Sequence, residues 1–237
     1  MNTVHYSGPV SDVQRSTRPA PASPIRHSRG DVLAAAMRLL DHHGLEGLTM
    51  RRLARDLGVQ PSALYWHVAD KQTLLAALSR EILRGSGDLV ASEPAAARRP
   101  SSGGWEDALR RAAGVLRDRL LAHRDGAEVV SSSLALGLVR LPLTDWITPA
   151  LASAGASPHI IATVAATLGH FAIGATFHEQ QRAAARQAGV IAEAAASARG
   201  PDADGDQDFD AGVALIVAGT AVLLAVPSPA REDARAD

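Results

Sequence analysis

Between Ser28 and Val226 the apolar residues of this chain recur every three or four positions without strand-like alternation, so helices are the element it can build. The first run carries its own punctuation. In SRGDVLAAAMRLLDHHG, Ser28 and Asp31 form a capping pair, Val32, Leu33, Ala36, Leu39 and Leu40 share one face, and Gly44 is the predicted stop. TMRRLARDLG predicts a short second helix with Leu53, Ala54 and Leu57 inward and Gly58 closing it. A third starts at Pro61, a residue suited to a first helical turn, and runs to about Val68. DKQTLLAALSREILRG makes a fourth, capped by Asp70. Further helical patterns cover 105–123, 124 to about 138, 143–154, 157–186 and 208–226, with no internal repeat. The expected fold class is all-α.

Composition shifts divide the chain. Residues 1–27 hold Pro9, Pro19, Pro21 and Pro24 among Ser, Thr and Ala with no apolar periodicity, the signature of a disordered arm. Its Arg15, Arg18 and Arg26 would either trail passively or reach along a DNA groove. Residues 85–104, rich in Gly, Ser, Pro and Ala, read as a linker between a first domain at 28–84 and a second at 105–226. ARGPDADGDQD, at 198–208, reads as a polar acidic loop, and 227–237 as a disordered tail. The run AGVALIVAGTAVLLAV, Ala211–Val226, is sixteen residues, short of the ~20 that span a bilayer. A buried or subunit-interface helix is the expectation there, with a membrane anchor as the alternative.

The net charge of −1 argues against a nucleic-acid binder until the chain is split. Residues 1–84 carry 11 Lys/Arg against 7 Asp/Glu, a balance of +4, and residues 85–237 carry 13 against 18, a balance of −5. A basic head on an acidic body fits a polyanion bound at one end. The chain has no cysteine, which removes disulfides and thiolate metal sites and fits a reducing cytoplasm.

GVQPSALYWHVADK, Gly58–Lys71, gathers Tyr65, Trp66 and His67 in a chain with 3% aromatic residues and ends on Lys71, its only lysine. Two short helices joined by a glycine-containing turn are the plan of a helix-turn-helix, whose second helix enters the major groove. Leu64 and Val68 would face the core with Leu53 and Leu57, leaving Ser62, Ala63, Tyr65, Trp66 and His67 outward. Tyr, Trp and His can donate to phosphate oxygens, and Ser and Ala are small enough to approach base edges. Lys71 adds a point charge, and Arg51 and Arg55 lie one turn apart on the preceding helix. The competing reading packs Tyr65 and Trp66 on the fourth helix as core.

LTMRRLARDLGVQPSALYWHVADKQTLLAAL resembles the N-terminal domain of the TetR family, the tetracycline-repressor-like regulators. HRDGAEV (123–129) and GHFAIGATFHEQQ (169–181) resemble matching segments of the second domain of tetracycline repressors. The resemblance implies a three-helix helix-turn-helix domain plus a helical ligand-binding and dimerisation domain, acting as a homodimeric repressor released from its operator by a small molecule. It places Arg51, Ser62, Ala63, Tyr65, Trp66, His67 and Lys71 at DNA-contacting positions. Pro61 stands where tetracycline repressors carry a base-reading glutamine, which removes amide readout of adenine at that position.

Tetracycline repressors hold a magnesium–tetracycline chelate through a histidine, a threonine and a glutamate. The matching positions here are Val130, Ser133 and His178, and a valine cannot ligate while imidazole suits magnesium poorly. A pocket walled by Leu116, Val130, Leu134, Trp146 and Phe171 would instead take a largely apolar inducer oriented by Ser133 or His178. His170 and His178, eight apart, stand ~12 Å apart along a helix, too far to share an ion. Gly169, Gly174, Gly212 and Gly219 would permit close helix approach in a four-helix dimer interface. The sequence calls for no cofactor, and no nucleophile–base pair, phosphate loop or metal-spaced ligand set supports the alternative of an enzyme with an incidental helix-turn-helix. A membrane-tethered DNA-binding protein is the other alternative.

Overall fold

The computed structural model of the protein describes residues 27–84, 104–190 and 205–226. The arm up to residue 26, nearly all of the linker, the acidic loop up to residue 204 and the tail lie outside the described residues. Every regular element among the described residues is a helix: α1 (Arg29–Gly47), α2 (Met50–Asp56), α3 (Pro61–Leu64), α4 (Lys71–Arg84), α5 (Gly104–Leu121), α6 (Gly126–Ala135), α7 (Leu143–Ser153), α8 (Pro158–Gln187) and α9 (Gly205–Ala225).

The predicted capping box opens α1. Ser28 Oγ accepts from the Asp31 backbone N–H at 3.1 Å, and the Asp31 carboxylate accepts from the Ser28 N–H at 2.7 Å. The bonds donated to it by the Ser28 N–H and the Ser28 hydroxyl hold the Asp31 carboxyl below its usual range. Gly44 interrupts the first helical run, as expected of the glycine there. At φ 68° and ψ −178° it kinks the chain, which resumes helical geometry to Gly47. That left-handed backbone, with the Asp125 carboxylate close above it, excludes a side chain.

α2 is capped by Thr49 and closed by a Schellman motif: with Gly58 at φ 65°, its N–H reaches Arg55 O at 3.2 Å and the Val59 N–H reaches Ala54 O at 3.0 Å. α3 is shorter than the predicted run to Val68. After Leu64 the chain turns, with the N–H groups of His67 and Val68 both reaching Leu64 O at 2.9 Å. Asp70 Oδ1 then accepts from the Thr73 N–H at 2.7 Å and opens α4, so the chain must leave α3 before that cap. Leu64 and Val68 are both buried and pin the turn to the core.

α4 is buried without interruption from Leu74 to Ser79, because α1 covers one side and α5 and α6 cover the others. One continuous apolar core therefore runs from Val32 through α4 to Val217. In the larger half, α8 packs on α5, α6, α7 and α9, and α9 also meets α5. Gly212 admits the Phe171 ring, which packs on Phe209 at 5.5 Å between centroids, and Gly169 admits Leu141. Around Gly174 and Gly219 there is open space instead. Both α8 and α9 are long and apolar enough to cross a membrane by length and composition. α9 buries Phe209, Val213, Val217 and Thr220, while Leu215 at 76% and Val222 at 65% exposure face away from the fold.

Burial makes the polar centre of the α4–α6 contact costly to disturb. Ser79 Oγ lies 2.8 Å from Leu75 O, 3.1 Å from Val129 O and 2.8 Å from Ser133 Oγ, and both serines are enclosed by the core. A hydroxyl has one proton, so Ser79 donates to a carbonyl while accepting from Ser133. Ser79→Ala should lower the unfolding free energy by about 1–3 kcal/mol in urea titration, the cost of stranding a buried hydroxyl. Adding Ser133→Ala should cost less than Ser133→Ala does alone. Strict additivity in that double-mutant cycle would show that the two hydroxyls are not coupled.

Candidate nucleic-acid interface

The structure gathers the predicted DNA-contacting residues on the α2–α3–α4 unit. Arg51 and Arg55 are exposed on α2, Ser62 is exposed on α3 and Ala63 half-buried beside it. Tyr65 is 53% and Trp66 90% exposed, which excludes the reading that packs them on α4 as core. His67 is half-buried and Lys71 is half-buried at the first position of α4. Leu64, Leu53 and Val68 hold the opposite side in the core, with Leu57 half-buried against it. The arc is thus an aromatic and basic face with Trp66 and much of Tyr65 left open to solvent, an arrangement suited to backbone-positioning contacts to DNA.

Two residues of this region carry no periodicity signal. His27 Nε2 lies 2.8 Å from Leu57 O, tying the chain before α1 to the end of α2 across thirty residues. An open groove of about 590 Å³ runs between His27, Val59, Trp66 and His67. Gln60, in the α2–α3 turn, is exposed and its side chain makes no cap hydrogen bond.

A second polar cluster joins the DNA-reading half to the rest. The turn after α5 places Asp125 at φ 55°, and its carboxylate accepts from the Leu45 N–H at 2.8 Å. Asp41 of α1 meets His123 Nδ1 at 3.1 Å and accepts from the Arg124 N–H at 3.3 Å. Gln180 of α8 fixes the same turn: its Oε1 accepts from the Ala127 N–H at 3.1 Å and its Nε2 donates to Leu120 O at 3.0 Å and His123 O at 2.8 Å. An open cavity of about 410 Å³ lies here, lined by Asp41, Arg124, Glu179 and Gln180 among others. Burial pushes the Glu128 carboxyl up, with the charges of Asp125 and Glu46 adding to the shift.

The residues expected to hold an inducer are placed differently from one another. Leu116, Val130 and Ser133 are fully buried, Leu134, Trp146 and Phe171 half-buried, and His178 exposed beside the Phe177 ring. Trp146 lies under the Arg119 guanidinium at 4.8 Å. None of the seven lines either open cavity just described. His170 is exposed on α8, like His178. Among the described residues, no group of three His, Cys, Asp or Glu is arranged to hold a metal ion. One interior charge was not foreseen: Arg117, bonded to Glu179 at 2.9 Å and to Asp206 and set 5.0 Å from the Phe209 ring centroid. Burial opposes its charge, but the carboxylates of Asp206 and Glu179 outweigh that and raise its pKa above the usual arginine value.

Comparison with known proteins fits this geometry. The sequence model of the bacterial regulatory proteins of the tetR family matches residues 32–78, and that of the tetracyclin repressor-like C-terminal domain matches residues 98–224. The class A tetracycline repressor protein from transposon 1721 of Escherichia coli is 34% identical over 199 residues, covering 80% of this chain and 88% of the repressor. The crystal structure of Mycobacterium smegmatis BioQ superposes with a TM-score of 0.66 at 36% identity, covering 83% of this chain and 99% of that one. BioQ with its double-stranded DNA operator superposes with a TM-score of 0.63 at 35% identity, over the same shares of the two chains. With both halves matched and the exposed aromatic arc in place on its helix-turn-helix, this chain belongs to the TetR family of bacterial transcriptional regulators.

Proposed function

We propose that the chain is a cytoplasmic transcriptional repressor that binds a palindromic double-stranded DNA operator as a homodimer and is released by a small, largely apolar molecule. The observation that carries the reading is Trp66, 90% exposed next to Tyr65 in the turn that follows the second helix of a helix-turn-helix. A large aromatic left in water by the fold is stabilised when a nucleic-acid backbone covers it. The solved complex of BioQ with its operator supports a DNA partner.

A second copy of the chain would cover the outer faces of α8 and α9. Leu215, Val222 and Leu223 are exposed there in a row of small and apolar residues, and Gly174 and Gly219 leave notches for a facing helix. Two-fold pairing would set two reading units about one turn of DNA, or a small multiple of it, apart. The proposal rests on binding rather than catalysis.

The inducer reading follows from the interior of the larger half. Leu116 and Val130 give apolar walls, and they are in contact with the core rather than with an open space, so a ligand would have to part them. The tetracycline chelate does not fit. Val130 has no donor atom, His178 is exposed to solvent, and the Ser133 hydroxyl is already bonded to Ser79. Magnesium needs a nearly ideal oxygen octahedron, which this set does not supply.

Lys71→Ala should weaken binding to all DNA sequences alike and flatten the log–log salt dependence by roughly 0.9, the value for one lost phosphate contact. Fluorescence anisotropy across a salt series reads both quantities. Unchanged affinity and slope would remove Lys71 from the interface. A titration of the protein–operator complex with tetracycline, with and without magnesium, should leave the complex intact. Magnesium-dependent release at submicromolar drug would overturn the apolar-inducer reading.

A further inference from the structure

Gln60 has an amide that the fold does not use. It occupies the N-cap position of α3, where a side chain ordinarily accepts from a first-turn N–H, yet it makes no such bond. The local chemistry explains why. Pro61 brings no N–H, and the Ala63 N–H is already bonded at 2.9 Å to the backbone carbonyl of Gln60 itself. The side-chain amide has no hydrogen-bond partner among the described residues and lies exposed.

The backbone that carries it is nevertheless fixed. A residue before proline is held in the extended region, and Gln60 sits there at φ −70° and ψ 143°. The following ring fixes the entry into α3, so the Cα–Cβ bond of residue 60 is rigid relative to the reading helix. Pro61 and Ser62 beside it are exposed and short, which lets this end approach a base edge closely. From Gly58 to Ala63, Gln60 alone has a side-chain amide, offering a donor and an acceptor side by side. That pairing matches the major-groove edge of adenine, which presents the N6 amino donor next to the N7 acceptor.

We propose that Gln60 is a base-reading, specificity-determining residue: its Oε1 accepts from adenine N6 and its Nε2 donates to adenine N7 in each half-site. The amide readout that Pro61 lacks is thereby supplied from the residue before it. The proposal rests on the operator-binding reading, and the aromatic arc and Lys71 would hold the backbone while Gln60 selects the base.

The test starts from random-sequence selection of operators with the full chain and with Gln60→Ala. The expected result is that the variant still selects a palindrome but loses preference for adenine at one position of each half-site, by about tenfold or more. Replacing that adenine by 7-deazaadenine, which removes the N7 acceptor, should weaken the wild-type complex several-fold and leave the Gln60→Ala complex unchanged. An unaltered adenine preference in Gln60→Ala would overturn the proposal, as would equal sensitivity of both proteins to the deaza base. Uniform weakening on all sequences would also overturn it, by placing Gln60 on a phosphate. If the wild-type chain selects no sequence at all, the operator-binding reading fails with it, and that outcome is distinct from the others.

Discussion

A helical segment enclosed on every side cannot move alone, and the middle of α4 is such a segment. From Leu74 to Ser79 every residue of it is buried, because α1 presses from the DNA-reading half and α5 and α6 from the other. Lys71 begins this helix and Ser79 lies eight residues further on, ~12 Å along one rigid axis. At the far point the Ser79 hydroxyl is bound into α6 through Val129 O and Ser133. A shift of α6 that broke those bonds would leave the buried Ser133 hydroxyl unpaired, so α6 and α4 are held to moving together. The two halves are coupled by packing that neither could give up without exposing core.

The second tie between the halves is polar and sits at the rim. Asp41, Asp125 and Gln180 accept from or donate to backbone groups of the turn after α5 and the end of α1. The left-handed positions at Gly44 and Asp125 face each other across that contact. Each requires a backbone conformation that most residues avoid, and together they let two chain reversals approach closely. α4 supplies the apolar hinge surface between the halves and this turn supplies the directional one.

Much of this was legible in the sequence. Caps at Ser28 and Asp70 and the closing Gly58 rest on interactions within a few residues, which local patterns record. Tyr65 and Trp66 were readable as a surface because Leu64 and Val68 claim the inward positions around them. The length of α3 was not, since an apolar pair four residues apart fits a helix and a tight turn equally well. Nor were the partners of Ser79, Gln180 and Arg117, which lie 54, 53 and 62 residues away for Ser133, Ala127 and Glu179. Helical periodicity carries no information about which distant polar group a side chain will meet. Residues placed in a pocket by resemblance, such as Leu116 and Val130, are found in the closed core.

The placement of Lys71 has a chemical consequence of its own. It is the only lysine in 237 residues and it stands at the start of α4, partly open to solvent, beside the aromatic arc. Every other basic side chain of that kind is a guanidinium, which acyl donors leave alone. Apart from the α-amino group, the chain offers amine-directed reagents a single nucleophile. Acylation there would remove one positive charge from the start of α4 while leaving the rest of the side-chain chemistry untouched, so the protein carries a one-point chemical address on the proposed DNA-binding surface.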